Sequence, residues 1–315
     1  MHIIGPYLKE FTGENLVYAI FINGVFNTGV TCFMLISGYF GIKRSVSKAI
    51  KLWYIVLLYS IIDFGISCLL LGEFSFKDLV CSLFPLSTNK YWFITAYMLI
   101  FIISPYVNNT IQLLSKKEYQ HLLLVMICIF YVAPTLFKIE ILNDGGKGVV
   151  HLCLVYLIGR YIRLHMSNFH IRLPLLISII LSILGAGMAL NYVVICLFTN
   201  GLYAAPFSRD CSVIILAGSV AIFLFFRQIQ FYNYFINWAA LSVFSIYIME
   251  YTFRKVIMGY GWFPYQENGI WYQATLLVGG IMFAGIILDK TRGYLLHNFE
   301  SSIQNKINVF FQNRG

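Results

Sequence analysis

The chain alternates between long apolar runs and short polar connections. Nine runs stand out, near 24–42, 50–71, 91–112, 119–137, 149–166, 171–190, 208–226, 234–252 and 270–288. Each approaches the ~20 apolar residues that carry an α-helix across a bilayer. In the last three, Tyr, Asn and Trp enter at both ends. A transmembrane barrel would show ~10-residue segments with alternating polarity. Stretches such as LLLVMICIFYVA and LLISIILSILGAGMAL do not alternate. Helices satisfy their own backbone in lipid, so the pattern predicts an all-α, polytopic membrane helical bundle with nine spans. Residues 297–315 break the pattern. They read as a polar, amphipathic cytoplasmic tail on the membrane surface, after a transmembrane domain over 1–296.

Composition agrees with this reading. Of 315 residues, 59% are hydrophobic and 11% charged, with a mean hydropathy of +0.77. Soluble domains carry about 25% charged residues, so a soluble enzyme and a nucleic-acid-binding domain are excluded. The net charge of +9 changes the picture only through its placement. One set of alternate connections holds 14 basic residues, among them Lys43, Arg44, Lys48, Lys51, Arg160 and Arg163; the other set holds 8. The positive-inside bias makes the first set cytoplasmic, with the C-terminus inside and the N-terminus outside. The seven cysteines have no CxxC spacing and sit mostly in apolar runs. They read as small buried hydrophobes, with no disulfide or metal framework. No HExxH, GxSxG or phosphate-loop pattern is present.

The opening MHIIGPYLKE reads as the last turn of an apolar helix, with Gly5 and Pro6 as stop signals. That predicts a chain missing a preceding helix; an ordinary short N-terminal tail is the alternative.

Three segments carry a resemblance. Residues 27–53 read NTGVTCFMLISGYFGIKRSVSKAIKLW. Residues 89–108 read NKYWFITAYMLIFIISPYVN, and residues 156–162 read YLIGRYI. Together they resemble the acyltransferase type 3 family, bacterial membrane O-acyltransferases that decorate surface and secreted glycans. The likeness is strongest over 24–165. It implies ten transmembrane helices with both ends cytoplasmic, in the bacterial inner membrane. The nine runs then fall one short, at the first helix. The resemblance also implies transfer of an acyl group, such as acetyl from acetyl-CoA, to a hydroxyl of a polysaccharide or its lipid-linked precursor. The partners would be acyl-CoA, a glycan or lipid-linked sugar, and membrane lipids, with no nucleic acid and no resident cofactor.

Such chemistry needs a base, because a hydroxyl is a poor nucleophile at neutral pH, and histidine suits the task. The family's first helix carries a basic residue, ten intervening residues and an essential histidine. His2 falls at that histidine, while its basic partner would precede Met1. On sequence alone His2 is a solvated terminal residue. Arg44, Lys48 and Lys51 are candidates for binding the acyl donor. Lys48 and Lys51 share a helix face at i,i+3 and occupy the place of the family's Arg-x-x-Arg pair, though lysine lacks the bidentate fork. Positive-inside anchoring accounts for them equally well.

Ser37, Gly38 and Tyr39 are candidates to line the channel, with helix packing the stronger reading. Asn89, Trp92 and Tyr97 enter the third run from outside and could contact the acceptor; aromatic residues there also form interfacial belts. Many relatives have Glu at the position of Tyr97. Asp63 and Glu250 are ionisable groups within apolar runs, where a carboxylate is costly and is usually functional or paired. Glu250 lies near a span end, where solvation competes. Arg160 reads as a snorkelling cation, and His121 and His151 as structural. A glycan or acyl-group transporter, and a catalytically inactive remnant, are the competing functional readings.

Overall fold

The computed structural model describes residues 11, 13–43, 45–197, 205–259 and 270–312. These form helices α1 (Gly13–Phe40), α2 (Val46–Leu71), α3 (Phe76–Leu83), α4 (Trp92–Gln112), α5 (Lys116–Ile127), α6 (Ala133–Phe137), α7 (Val149–His165), α8 (Leu173–Leu197), α9 (Val213–Gln228), α10 (Tyr234–Ala240), α11 (Val243–Gly259) and α12 (Ile270–Gln312). No strand occurs among the described residues. A π-helical turn, Cys128–Val132, joins α5 to α6.

All nine apolar runs fall on helices. Six segments among the described residues are long and apolar enough to cross a membrane: Gly13–Phe40, Val46–Leu71, Trp92–Gln112, Lys116–Phe137, Leu173–Leu197 and Ala274–Leu295. The expected count of nine is therefore not confirmed. Helix α7 has 17 residues, about 26 Å at ~1.5 Å per residue, short of the ~30 Å hydrocarbon core. Helix α9 has 16. The run near 234–252 is broken at Leu241 and Ser242, and α11 is left with 17 residues. The helix that begins at Ile270 continues unbroken through 297–312, the segment read as a separate tail.

Burial follows the logic of lipid rather than water. Tyr59, Tyr119, Tyr131 and Tyr156 are fully buried, whereas Leu69 and Leu113 are 85% and 86% exposed. Large apolar side chains stand outward where a soluble protein would place charge. The chain is a multi-pass membrane protein.

The chain divides into two compact units. The first comprises Met1–Arg44 and Ala96–Gln230; the second comprises Ser45–Thr95 and Phe231–Gly315. In the first, α1 packs chiefly on α7 and α9, and α9 on α8. The loop before α9 is tied to these helices. Asn191 donates to the Ser208 hydroxyl at 2.8 Å and accepts from the Phe207 N–H at 2.9 Å, and the Asn27 amide donates to the Ser208 carbonyl. In the second unit, α11 packs on α2 and α12, and α3 on α2.

Helix starts follow local chemistry. Ser45, Ser75, Ser115 and Ser212 each cap the helix that follows, and Ser115 with Glu118 forms a reciprocal capping box. Within α4, Pro105 has no N–H to offer the Phe101 carbonyl. The Ser104 hydroxyl donates to that oxygen at 2.9 Å instead.

Candidate functional site

The three segments singled out in the sequence meet in the first unit at the end of α1. Gly41, at φ +74°, ends the helix, and its N–H donates to the Ser37 and Gly38 carbonyls. Only a residue without Cβ takes this conformation at little cost. The Tyr156 hydroxyl of α7 accepts from the Ile42 N–H at 3.2 Å and donates to Asn108 Oδ1 of α4 at 3.0 Å. Asn108 Nδ2 returns a bond to the Ile42 carbonyl at 3.4 Å. One residue from each segment thus locks the turn that leads to the basic stretch.

Gly38 belongs to this contact in a packing role. A Cβ there would overlap the Tyr156 carbonyl oxygen, and one on Gly159 would reach the Gly38 Cα at 3.1 Å. Tyr39 accepts from Arg163 Nη1 at 3.3 Å, and the Arg163 guanidinium lies 5.2 Å from the Tyr39 ring centroid. The Ser37 hydroxyl donates to the Phe33 carbonyl at 3.0 Å. The Tyr97 hydroxyl faces Ser37, with its ring edge-on to Phe33 at 5.7 Å. Ser37, Gly38, Tyr39 and Tyr97 therefore share one locality. Arg160 is half-buried: its Nε is sealed from solvent, and its guanidinium lies against Gly41.

The second unit holds the other candidates. Lys48 and Lys51 both lie on α2 and are exposed. Asn89 is exposed and adopts a left-handed conformation, φ +53°, that asparagine tolerates better than most residues. That turn presents Lys90 to α2. Lys90 Nζ lies 3.1 Å from Asp63 Oδ2, 3.2 Å from Ser60 Oγ and 2.9 Å from Ser82 Oγ. The Tyr91 hydroxyl donates to the same Asp63 oxygen at 3.3 Å. Asp63 is thus paired within its span, as a carboxylate there must be. Trp92 is half-buried at the start of α4, edge-on to Phe93 at 5.8 Å. Glu250 pairs with Arg254 Nε at 3.3 Å, one helical turn on. His2 and Arg44 lie outside the described residues.

His151 is buried, with a hydrogen bond at Nε2 and a carboxylate near Nδ1. Nδ1 lies 3.2 Å from Asp144 Oδ1, and Nε2 lies 3.2 Å from the Phe130 carbonyl. Exposed His121 makes no part of this cluster. Among the described residues, no group of three His, Cys, Asp or Glu side chains could hold a metal ion. All seven cysteines are free; only Cys211 is buried, whereas Cys128 and Cys196 are exposed.

Sequence reasoning missed four structural groups. Asn108 and Tyr156 are polar positions inside two of the quoted segments, and that isolation was their signal. Lys90 and Arg292 were counted only as topological charges. Arg292 Nε donates to the Tyr59 hydroxyl at 2.9 Å, Nη2 lies 3.2 Å from Asp289, and Nη1 pairs with Glu300. The Tyr59 hydroxyl and the Ser242 hydroxyl each donate to Asp289, at 2.6 and 2.9 Å. The i,i+3 spacing of Asp289 and Arg292 was the available clue.

The end of α1 offers tyrosine and serine hydroxyls beside arginines. It is suited to bind an anion and to order polar groups in an apolar setting. A family model described as an acyltransferase domain, that of the type 3 acyltransferases, matches residues 1–289. No curated protein and no solved structure matches the chain. With that match running almost its full length, through all three segments that meet at the end of α1, the chain belongs to the acyltransferase type 3 family of membrane acyl-group transferases.

Proposed function

We propose that this protein is an O-acyltransferase that moves acetyl from acetyl-CoA to a hydroxyl of a cell-surface polysaccharide or its lipid-linked precursor. The observation that carries the reading is the turn after α1, where Ile42, Asn108 and Tyr156 join the family's segments. In this reading His2 takes the proton from the acceptor hydroxyl. The hydroxyl oxygen attacks the thioester carbonyl, the CoA thiolate leaves, and the histidine returns the proton to the sulfur. Arg44, Lys48 and Lys51 receive the donor's phosphates on the cytoplasmic side. Asn89, Trp92 and Tyr97 face the acceptor path, and Glu250 lines it as an accessory polar group. Helices α7, α9 and α11 complete nine crossings of the bacterial inner membrane, and the C-terminus is cytoplasmic.

The test uses bacterial membranes containing the chain and acetyl-CoA labelled in its acetyl group. Label should pass to the glycan fraction, and His2→Ala should abolish transfer. Transfer no higher than in membranes without the chain overturns the enzyme reading. Unchanged transfer by His2→Ala overturns the histidine assignment alone.

A further inference from the structure

Arg160 differs from three other arginines described in its unit, and from exposed Arg172 in having a buried Nε. Arg163 donates to Tyr39, Arg209 pairs with Glu140, and Arg227 donates to the Met166 and Phe169 carbonyls. Arg160 makes no hydrogen bond or ion pair with any described residue, and its Nε is buried. A guanidinium carries five donors and is always charged. The Arg160 Nε, buried without an acceptor, costs free energy that a bond to an anion would recover.

The surroundings hold the side chain in place. A Cβ on residue 41 would come within 2.7 Å of Arg160 Nη1 and 3.3 Å of its Cζ, so the glycine makes room for the guanidinium plane. The Gly41 backbone is held in turn by the Ile42–Tyr156–Asn108 bonds. The residue is not fully enclosed, and the exposed Lys43 follows Gly41 by two positions. A planar fork set against a glycine, with Lys43 on the same turn, suits a phosphate better than a single carboxylate.

We propose that Arg160, seated on Gly41 at the end of α1, is a phosphate-binding residue. Two sources share this chemistry: a phosphate of the nucleotide-linked acyl donor, and the headgroup phosphate of a phospholipid. The donor source rests on the acyltransferase reading; the lipid source does not.

The test measures binding, so it is separable from acetyl transfer. The full chain is purified in a maltoside detergent without phosphate. Coenzyme A is titrated calorimetrically against wild type, Arg160→Gln and Arg160→Lys. Retention of phosphatidylglycerol, and of a diglucosyl lipid that lacks phosphate, is read in parallel by native mass spectrometry. Arg160→Gln should weaken one phosphate ligand by roughly ten- to a hundred-fold, the effect of losing a charge-assisted hydrogen bond. Arg160→Lys, which keeps the charge and loses the fork, should fall between. Weakened coenzyme A binding identifies the donor. Unchanged coenzyme A binding with loss of phosphatidylglycerol, but not of the glucosyl lipid, identifies the phospholipid. If Arg160→Gln does not fold, Arg160→Lys decides alone. The proposal is overturned if wild type binds neither phosphate ligand, or if a folded variant binds both as wild type does.

Discussion

Gly38 and Gly159 face each other where α1 crosses α7, so closely that a Cβ on Gly159 would lie 3.1 Å from the Gly38 Cα and 2.9 Å from the Tyr39 nitrogen. Apolar surface gains nothing by leaving lipid, so helices there associate through close packing and hydrogen bonds. Either glycine replaced by alanine must push the backbones apart. We expect Gly38→Ala or Gly159→Ala to destabilise the protein by about 1–3 kcal/mol, the usual cost of overpacking. Thermal melting in detergent measures this. An unchanged midpoint would show that the crossing relaxes freely.

Asp63 and Lys90 form a buried charge pair at 3.1 Å, with the Asp63 side chain only 8% exposed. Removing one partner strands the other, at a cost of about 3–5 kcal/mol. Asp63→Asn and Lys90→Met should each lower the melting midpoint strongly, whereas the double variant should regain most of the loss. Strictly additive losses in the double-mutant cycle would contradict the pairing.

Lys48 and Lys51 are exposed on α2, so replacing both with glutamine should leave melting unchanged. If they receive the donor, the double variant raises KM for acyl-CoA several-fold, and the difference shrinks at high salt because screening weakens exposed charges. An unchanged KM, in a protein whose membrane orientation has shifted, would assign them to anchoring.

Cys211 lies in the loop before α9, and burial pushes its thiol up to about 11, with Arg209 opposing and Glu140 reinforcing the shift. A raised thiol value keeps the group protonated at neutral pH, and only the thiolate reacts. In single-cysteine variants, maleimide should label Cys196, exposed at the end of the Leu173–Leu197 segment, well before Cys211. The Cys211 rate should climb only as pH approaches its raised value. Equal rates at pH 7.5 would refute the assignment.

The helical class was legible because lipid leaves few ways to satisfy a backbone, and runs such as 175–190 can meet that demand only as helix. The contact between the three segments was half legible. The FMLISGYF and YLIGRYI stretches announced small residues, but not that Gly38 meets Gly159. Pairings across distant sequence were hidden. Lys90 looked like a loop charge because nothing local points from residue 90 to residue 63; the left-handed turn at Asn89 makes that connection. Arg160 looked like an ordinary cation at a helix end, since its seat is a glycine from another helix. The reach of α12 to Gln312 was not legible from the polar composition after residue 296, because helix periodicity does not require apolar residues.

The hydroxyl of Ser104 and the ring of Pro105 solve one backbone problem between them. Proline strips a donor from the Phe101 carbonyl, and serine supplies one. Neither residue is neutral by itself: proline beside alanine would strand an oxygen in the bilayer, while serine without proline would compete with an intact helical bond. Drift at the two positions is therefore coupled, and descendants of this gene should keep the dipeptide or lose it as one mutational step.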